Sequence, residues 1–171
     1  MNLITTSPTW LVIVLMLTLA AAAIEDAVRL RISNITCGAV FIAALVAMAL
    51  HGFSFSLWQN AVVCIAILVL GTPAFAAGWL GGGDVKLLAA LGLWFNLQAA
   101  LSLVAAVFIA GGVVALMFIL VRFARRDRRK ERRIPYGLAI AIGAVAIFGM
   151  QLHQRNVARY PWQPYFQPHG A

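Results

Sequence analysis

The segment Gly81–Phe95 reads GGGDVKLLAALGLWF and lies between two long apolar runs. Its apolar part, LLAALGLWF, is much shorter than the roughly 20 residues that a helix needs to cross a hydrocarbon core of about 30 Å. A glycine-rich break is tolerated at membrane depth only where protein or water surrounds it. The segment therefore predicts a short helix that begins at the glycines and lies inside a bundle of longer helices.

The rest of the chain supports a membrane bundle. Of its 171 residues, 63% are hydrophobic and 11% are charged, whereas soluble domains carry about 25% charged residues. We therefore expect a single all-α, polytopic membrane domain over residues 1–171, with about six transmembrane helices, of which the fourth is the short one. The five long spans are predicted at about Leu11–Ile24, Ile35–Leu50, Trp58–Ala77, Leu97–Val121 and Tyr136–Leu152.

The basic residues predict the orientation of these spans. With six crossings, Arg29, Arg31, Lys86 and the basic segment 122–133 fall on one side of the membrane, which then carries 11 of the 13 Lys and Arg residues. The positive-inside rule makes that side cytoplasmic. Segment 122–133 is accordingly predicted to be a cytoplasmic loop, and 153–171 an irregular periplasmic tail. The charge of +8 indicates attraction to anionic membrane lipids. The basic segment has no aromatic residue beyond Phe123, so nucleic-acid binding is not expected.

Only five acidic residues occur in the chain. Asp127 and Glu131 lie four residues apart within the basic segment, where local charge balance accounts for them. Glu25, Asp26 and Asp84 instead adjoin the cytoplasmic ends of apolar spans, where a buried carboxylate costs about 2.5–3.5 kcal/mol on insertion scales. Such placement indicates a functional role for these three acids.

Asp26 and Asp84 are predicted to lie at similar depth on the same membrane face, although 58 residues separate them. Two adjacent carboxylates do not both ionise easily, so one keeps a proton while the other is a base, as in aspartic proteases. Gly81, Gly82 and Gly83 lack a Cβ, which allows positive φ before Asp84 and close approach of an extended peptide. A helix break or close helix packing is the alternative explanation for this glycine triplet.

The two acidic segments together resemble the type IV prepilin peptidases, membrane aspartyl proteases. In that family one catalytic Asp precedes a short basic segment ending in Ile-Pro-Asn, and the other lies in Gly-x-Gly-Asp-x-Lys. Asp26 falls on the first catalytic position and Asp84 on the second. The supporting motif residues are Ile32, Asn34, Gly81, Gly83 and Lys86. Ser33 stands where the family usually has proline. The absence of proline removes a fixed φ and restores a backbone N–H group.

The resemblance implies an aspartic endopeptidase of the bacterial inner membrane that cleaves the leader from prepilins and pseudopilins at the cytoplasmic face, with no cofactor and no metal. Only seven residues separate Asp26 from Asn34, and no CxxC pair is present. The chain therefore resembles the short form of tight-adherence (Flp) pilus systems, for which cleavage without N-methylation is expected. Ile134-Pro135-Tyr136-Gly137 also resembles the family, but proline at a helix start and glycine packing account for it without a chemical role.

Two side chains beside the catalytic pair have open roles. Glu25 is a candidate for recognising a basic leader, or it lies at the membrane surface without such a role. Lys86 either stabilises a carboxylate or extends to the headgroups.

Two other classes of function fit the composition. A small transporter or channel would use Asp26 and Asp84 as a proton or cation site. A non-enzymatic assembly subunit would not need either carboxylate. Cys37 and Cys64 lie within apolar runs, without metal-ligand spacing, and are interpreted as packing residues.

Overall fold

The computed structural model describes residues 2–52, 57–124 and 136–159. The regular secondary structure in these ranges is helical throughout. The helices are α1 (Leu3–Thr6), α2 (Thr9–Arg29), α3 (Asn34–His51), α4 (Trp58–Ala76), α5 (Gly82–Gly92), α6 (Leu97–Ala124) and α7 (Tyr136–Arg159).

Five of these helices are long and apolar enough to cross a membrane, namely α2, α3, α4, α6 and α7. Helix α5 has 11 residues, which at 1.5 Å per residue gives about 16 Å, roughly half of the hydrocarbon core. The predicted all-α membrane bundle with a short helix at the glycines is confirmed. Helix α2 extends five residues beyond its predicted end at Ile24, so that Asp26 lies in its last turns.

Helix α5 occupies the centre of the bundle and packs against α3, α4 and α7. Its position inside protein accounts for the presence of a glycine-rich break, because the backbone there is shielded from lipid. Helix α6 packs chiefly against α7 and directs most of its side chains outward. The outward side chains are apolar, for example Phe108 and Ile109, as a lipid-facing surface requires.

Helix α1 and the turn after α5 fill the half of the bundle that α5 does not reach. Leu3 and Ile4 of α1 are fully buried, and the Leu3 N–H group donates to the Trp94 carbonyl at 2.9 Å. Phe95 stacks on Phe148 of α7, with ring centroids 5.6 Å apart. The sequence pattern does not predict α1, because four residues are too few to display a helical period.

The connection between α2 and α3 is short and tightly bonded. Leu30 ends α2 in the left-handed conformation, with φ 53° and ψ 33°, and its N–H group donates to the Asp26 carbonyl at 2.8 Å. Ser33 caps α3, because its Oγ accepts a hydrogen bond from the Thr36 N–H group at 3.1 Å. The backbone is thus bonded on both sides of the segment that follows Asp26.

The two predicted extramembrane segments fall largely outside the described residues. Helix α6 continues to Ala124, and the remainder of the basic segment, 125–133, is not among the described residues. Helix α7 continues to Arg159, so the prediction of irregular structure from residue 153 is wrong for 153–159. Residues 160–171 lie outside the described range.

Candidate active site

Asp26 and Asp84 line the same cavity at one end of the bundle. Asp26 lies in the last turns of α2 and Asp84 in the first turn of α5; their side chains are 4% and 9% exposed. The cavity has a volume of about 110 Å³, more than the space that a single water molecule requires. Its lining residues are Asp26, Leu30, Arg31, Ile32, Gly81, Gly82, Gly83 and Asp84. The structure thus brings together two carboxylates that are distant in sequence.

Asp84 has one bonded and one unpartnered carboxylate oxygen. Its Oδ2 accepts a hydrogen bond from the Gly81 N–H group at 3.0 Å, closing the N-terminus of α5. Its Oδ1 is buried and has no hydrogen-bond partner among the described residues. Burial, and secondarily the negative charge of Asp26, raise the pKa of Asp84 to about 6 against the opposing effect of the Gly81 bond. Oδ1 is therefore a natural position for a proton.

Asp26 accepts two backbone hydrogen bonds from the first turn of α7. Its Oδ2 is 2.7 Å from the Gly137 nitrogen and 3.3 Å from the Leu138 nitrogen. These N–H groups belong to the set that a helix leaves without an internal partner at its N-terminus. The sequence reasoning missed this contact, since it gave Gly137 only a packing role. The signal that indicates it is the Pro135-x-Gly137 pattern, which marks a helix start with free N–H groups.

The glycines before Asp84 permit close packing without any unusual backbone angle. Gly81 has φ −74°, and the described residues with positive φ are Leu30, Gly52 and Gly78. The expectation of positive φ before Asp84 is therefore wrong. A Cβ on Gly81 would lie 2.5 Å from Asp84 Oδ2, and one on Gly83 would lie 3.0 Å from the Ile32 carbonyl oxygen. The missing Cβ atoms allow these contacts.

Ile32 lies between two glycines from different helices. A Cβ on Gly83 of α5 would come within 3.0 Å of Ile32 Cβ, and one on Gly137 of α7 within 2.8 Å of Ile32 Cδ1. The same Cβ on Gly137 would be 2.8 Å from Asp26 Cβ. Real Cβ contacts are essentially never as short as 2.8 Å, so position 137 requires glycine unless its neighbours move. A contact of 3.0 Å is tighter than most, so a Cβ on Gly83 would need Ile32 to shift by a few tenths of an ångström. Ile32 thereby fixes the α2–α3 connection against the helices that carry or contact the two aspartates.

Glu25 is engaged in the α2–α3 connection. Its Oε2 accepts hydrogen bonds from the Ser33 N–H group at 3.0 Å and from Thr36 Oγ1 at 2.9 Å. The N–H group that proline would lack at position 33 is thus used. Ser33 has φ −72°, within the range that proline imposes. The predicted role of Glu25 in leader recognition stays a prediction; the contacts give it a role in bracing this connection.

Lys86 and Asn34 join the two motif segments. Lys86 Nζ donates to Asn34 Oδ1 at 3.0 Å, and both side chains are exposed. Nearby, Cys37 Sγ donates to the Gly83 carbonyl at 3.5 Å. Cys37 and Cys64 are both free and buried, as expected of packing residues. Within 2–52, 57–124 and 136–159, no three side chains of the metal-binding types gather in one place.

The model of the type IV leader peptidase family matches residues 13–116 of the chain. The matched range contains Asp26, Asp84 and the supporting residues Ile32, Asn34, Gly81, Gly83 and Lys86, and it ends before α7. No curated protein and no solved structure matches the chain.

Proposed function

This chain belongs to the type IV leader peptidase family, and from that premise we propose that it is an aspartic endopeptidase that hydrolyses the leader of prepilins and pseudopilins. Asp26 and Asp84 are the proposed catalytic residues. The observation that carries this proposal is their presence in one buried cavity, close enough for the charge of Asp26 to act on Asp84.

The pair suits hydrolysis by an activated water molecule. The ionised carboxylate takes a proton from the water as its oxygen bonds to the scissile carbonyl carbon. The protonated carboxyl polarises the carbonyl oxygen and later gives a proton to the leaving amine as the C–N bond breaks. The unpartnered Oδ1 of Asp84 and the small cavity that both residues line support this division.

The proposed substrate has a basic leader followed by an apolar helix. Docking of that helix among the spans would place the scissile bond at the depth of the aspartates, which supplies proximity before the reaction. A cavity of about 110 Å³ is too small for a peptide, so binding requires the surrounding elements to separate. An apolar helix would also exclude water and so favour the protonated form of Asp84 further.

The proposed location is the bacterial inner membrane, with the site facing the cytoplasm. Arg29, Arg31 and Lys86 lie on the segments that form the cavity end of the bundle, and they belong to the 11 basic residues on one side of the predicted topology. The short connection between Asp26 and Asn34 supports cleavage without N-methylation, as in Flp pilus systems.

The test is co-expression of a prepilin with the wild type, Asp26→Asn or Asp84→Asn, followed by mass measurement of the pilin N-terminus. Each variant is expected to leave the leader attached while the enzyme remains in the membrane in normal amount. Asp127→Asn is the matched control, because this acid is predicted to balance charge within the basic segment, and it should process normally. Normal processing by both site variants would exclude the aspartic mechanism. Retained pH-dependent ion flux with either carboxylate changed to Glu would instead favour a transporter.

A further inference from the structure

The two carboxyl groups of the cavity differ in their hydrogen bonding. Asp26 Oδ2 accepts two N–H groups, from Gly137 and Leu138. Asp84 Oδ2 accepts one, from Gly81, and its Oδ1 is buried without a partner among the described residues. Hydrogen bonds from N–H donors favour the ionised form of a carboxylate. The two acids are thus not equivalent before a substrate binds.

We propose that the N-terminal turn of α7 is a positioning element of the catalytic site: the N–H groups of Gly137 and Leu138 hold Asp26 as the ionised member of the pair, so that Asp84 carries the shared proton. The inference rests on the proposed aspartic function and assigns its two roles. Asp26 accepts the proton of the attacking water, and Asp84 polarises the carbonyl and protonates the leaving amine.

Asp84 lies in the first turn of α5 and Asp26 against the first turn of α7, so each acid faces a helix N-terminus and the number of N–H donors distinguishes them. The first N–H groups of α7 carry the positive end of the helix dipole, equivalent to roughly half an elementary charge. An anion at such a position is stabilised both by the dipole and by the hydrogen bonds. The contact is buried, so water screens it little. The backbone at the N-terminus of α7 therefore stabilises the negative charge of Asp26, as a basic side chain would.

Gly137 makes this approach possible. Any side chain there would place its Cβ 2.8 Å from Asp26 Cβ and 2.9 Å from Asp26 Cγ, which would push the carboxyl group away from the N–H groups. The contact lies outside residues 13–116 that the family model matches. The contact adds the start of α7 to the two segments that carry the acids.

The elements that surround Asp26 carry other ionisable groups. Asp84 of α5 and Arg31 of the α2–α3 connection line the same cavity. Glu25 and Arg29 lie on its own helix, Cys37 on α3 and Tyr136 at the start of α7. Replacing a backbone N–H group of α7 alters none of these side chains. A change in the pH dependence of cleavage after such a replacement therefore reports on the N–H groups of residues 137 and 138.

The test replaces single backbone N–H groups by ester oxygens, using hydroxy acids that keep the side chain of residue 137 or 138. The rate of prepilin cleavage in proteoliposomes is then measured as a function of pH. The acidic limb, which is the pH range in which the rate falls toward low pH, is compared with that of the wild type. Loss of a donor to ionised Asp26 should move this limb to higher pH by about one unit. An ester at Ala144, in the interior of α7, is the matched control and should leave the limb in place.

A second measurement does not require activity. Infrared titration of the carboxyl groups in an Asp84→Asn background should show one carboxyl that titrates at higher pH when either ester is present. An unchanged limb, or an unchanged infrared titration, in both ester variants would overturn the inference. Failure of the proposed function would look different, because Asp26→Asn and Asp84→Asn would then process prepilin normally.

Discussion

Lys86 Nζ lies 3.0 Å from Asn34 Oδ1, although 52 residues separate them in sequence. The bond connects the first turns of α5 to the start of α3, directly beside the two segments that carry Asp84 and follow Asp26. Because both side chains are exposed, the bond tethers the two motifs at the surface and does not reach the carboxyl groups.

This tether predicts modest and coupled effects. Lys86→Met and Asn34→Ala should each lower the rate of prepilin cleavage by roughly two- to fivefold, since an exposed hydrogen bond contributes about 0.5–1 kcal/mol. The double variant should be no worse than the more impaired single variant, because both changes remove the same bond. Single-turnover rates measure this coupling. A loss of a thousandfold or more in Lys86→Met would instead give the lysine a direct role in the chemistry.

Gly83→Ala should impair both folding and cleavage. The added Cβ would lie 3.0 Å from the Ile32 carbonyl oxygen and Cβ, so the connection beside Asp26 must shift at a cost of about 1–3 kcal/mol. Gly112→Ala in α6 is the matched control, because nothing lies within 4 Å of its Cβ position; this change should be neutral or stabilise by about 0.5–1 kcal/mol. Thermal unfolding in detergent and prepilin processing provide the measurements. Equal behaviour of the two variants would contradict the packing described here.

Ser33→Pro should destabilise the protein even though it restores the residue usual in the family. The observed φ of −72° suits proline, but the change removes the N–H group that bonds to Glu25 and the Oγ that caps α3. Ser33→Ala removes the cap, at about 1 kcal/mol, and the contact of Ser33 Oγ with Thr36 Oγ1, but it keeps the N–H group. The proline variant should therefore unfold at a lower temperature than the alanine variant. In a Glu25→Gln background, the proline variant should lose less unfolding temperature relative to the alanine variant, because the bond to a charged acceptor is already gone.

The burial of Asp84 predicts a pH-dependent effect on stability. Its pKa is raised from 3.8 to about 6, so between these values the unfolded chain releases a proton that the folded chain keeps, and stability falls as pH rises. Below about pH 4 the group is protonated in both states and contributes no difference. Asp84→Asn should therefore have a higher melting temperature than the wild type above pH 6, with the gap closing toward pH 4. Parallel melting curves for the two proteins across this range would exclude a buried, proton-binding Asp84.

The sequence was informative where side chains carry the signal. Apolar length predicts the five long helices, and the glycine-rich break predicts the short α5. Because acidic residues are few, Asp26 and Asp84 stand out as candidate functional residues. The distribution of basic residues predicts that both lie on the same membrane face. Each of these inferences rests on a property of residue type, such as apolarity or charge, that is visible without coordinates.

The contacts that the sequence did not predict involve the backbone or short segments. Pro135 and Gly137 mark a helix start with free N–H groups, but no residue pattern identifies the acceptor of those groups, so the bonds from Gly137 and Leu138 to Asp26 are not predictable from the sequence. The same holds for the Ser33 N–H group bonded to Glu25. At Gly81 and Gly83 the sequence predicts a positive φ, whereas the structure needs the absence of a Cβ. Which of the two properties matters depends on the atoms that pack against each glycine, and the sequence does not give those contacts.

Asp26 enters the membrane with the first long helix, whereas its backbone donors are synthesised 111 and 112 residues later. At about 5–20 residues per second, the ribosome needs roughly 6 to 22 s to make the intervening chain. During this interval the carboxylate lacks the groups that orient it. Proteolytic competence would therefore arise only when the last span inserts, so that a nascent or prematurely terminated polypeptide does not cut other newly made helices around it.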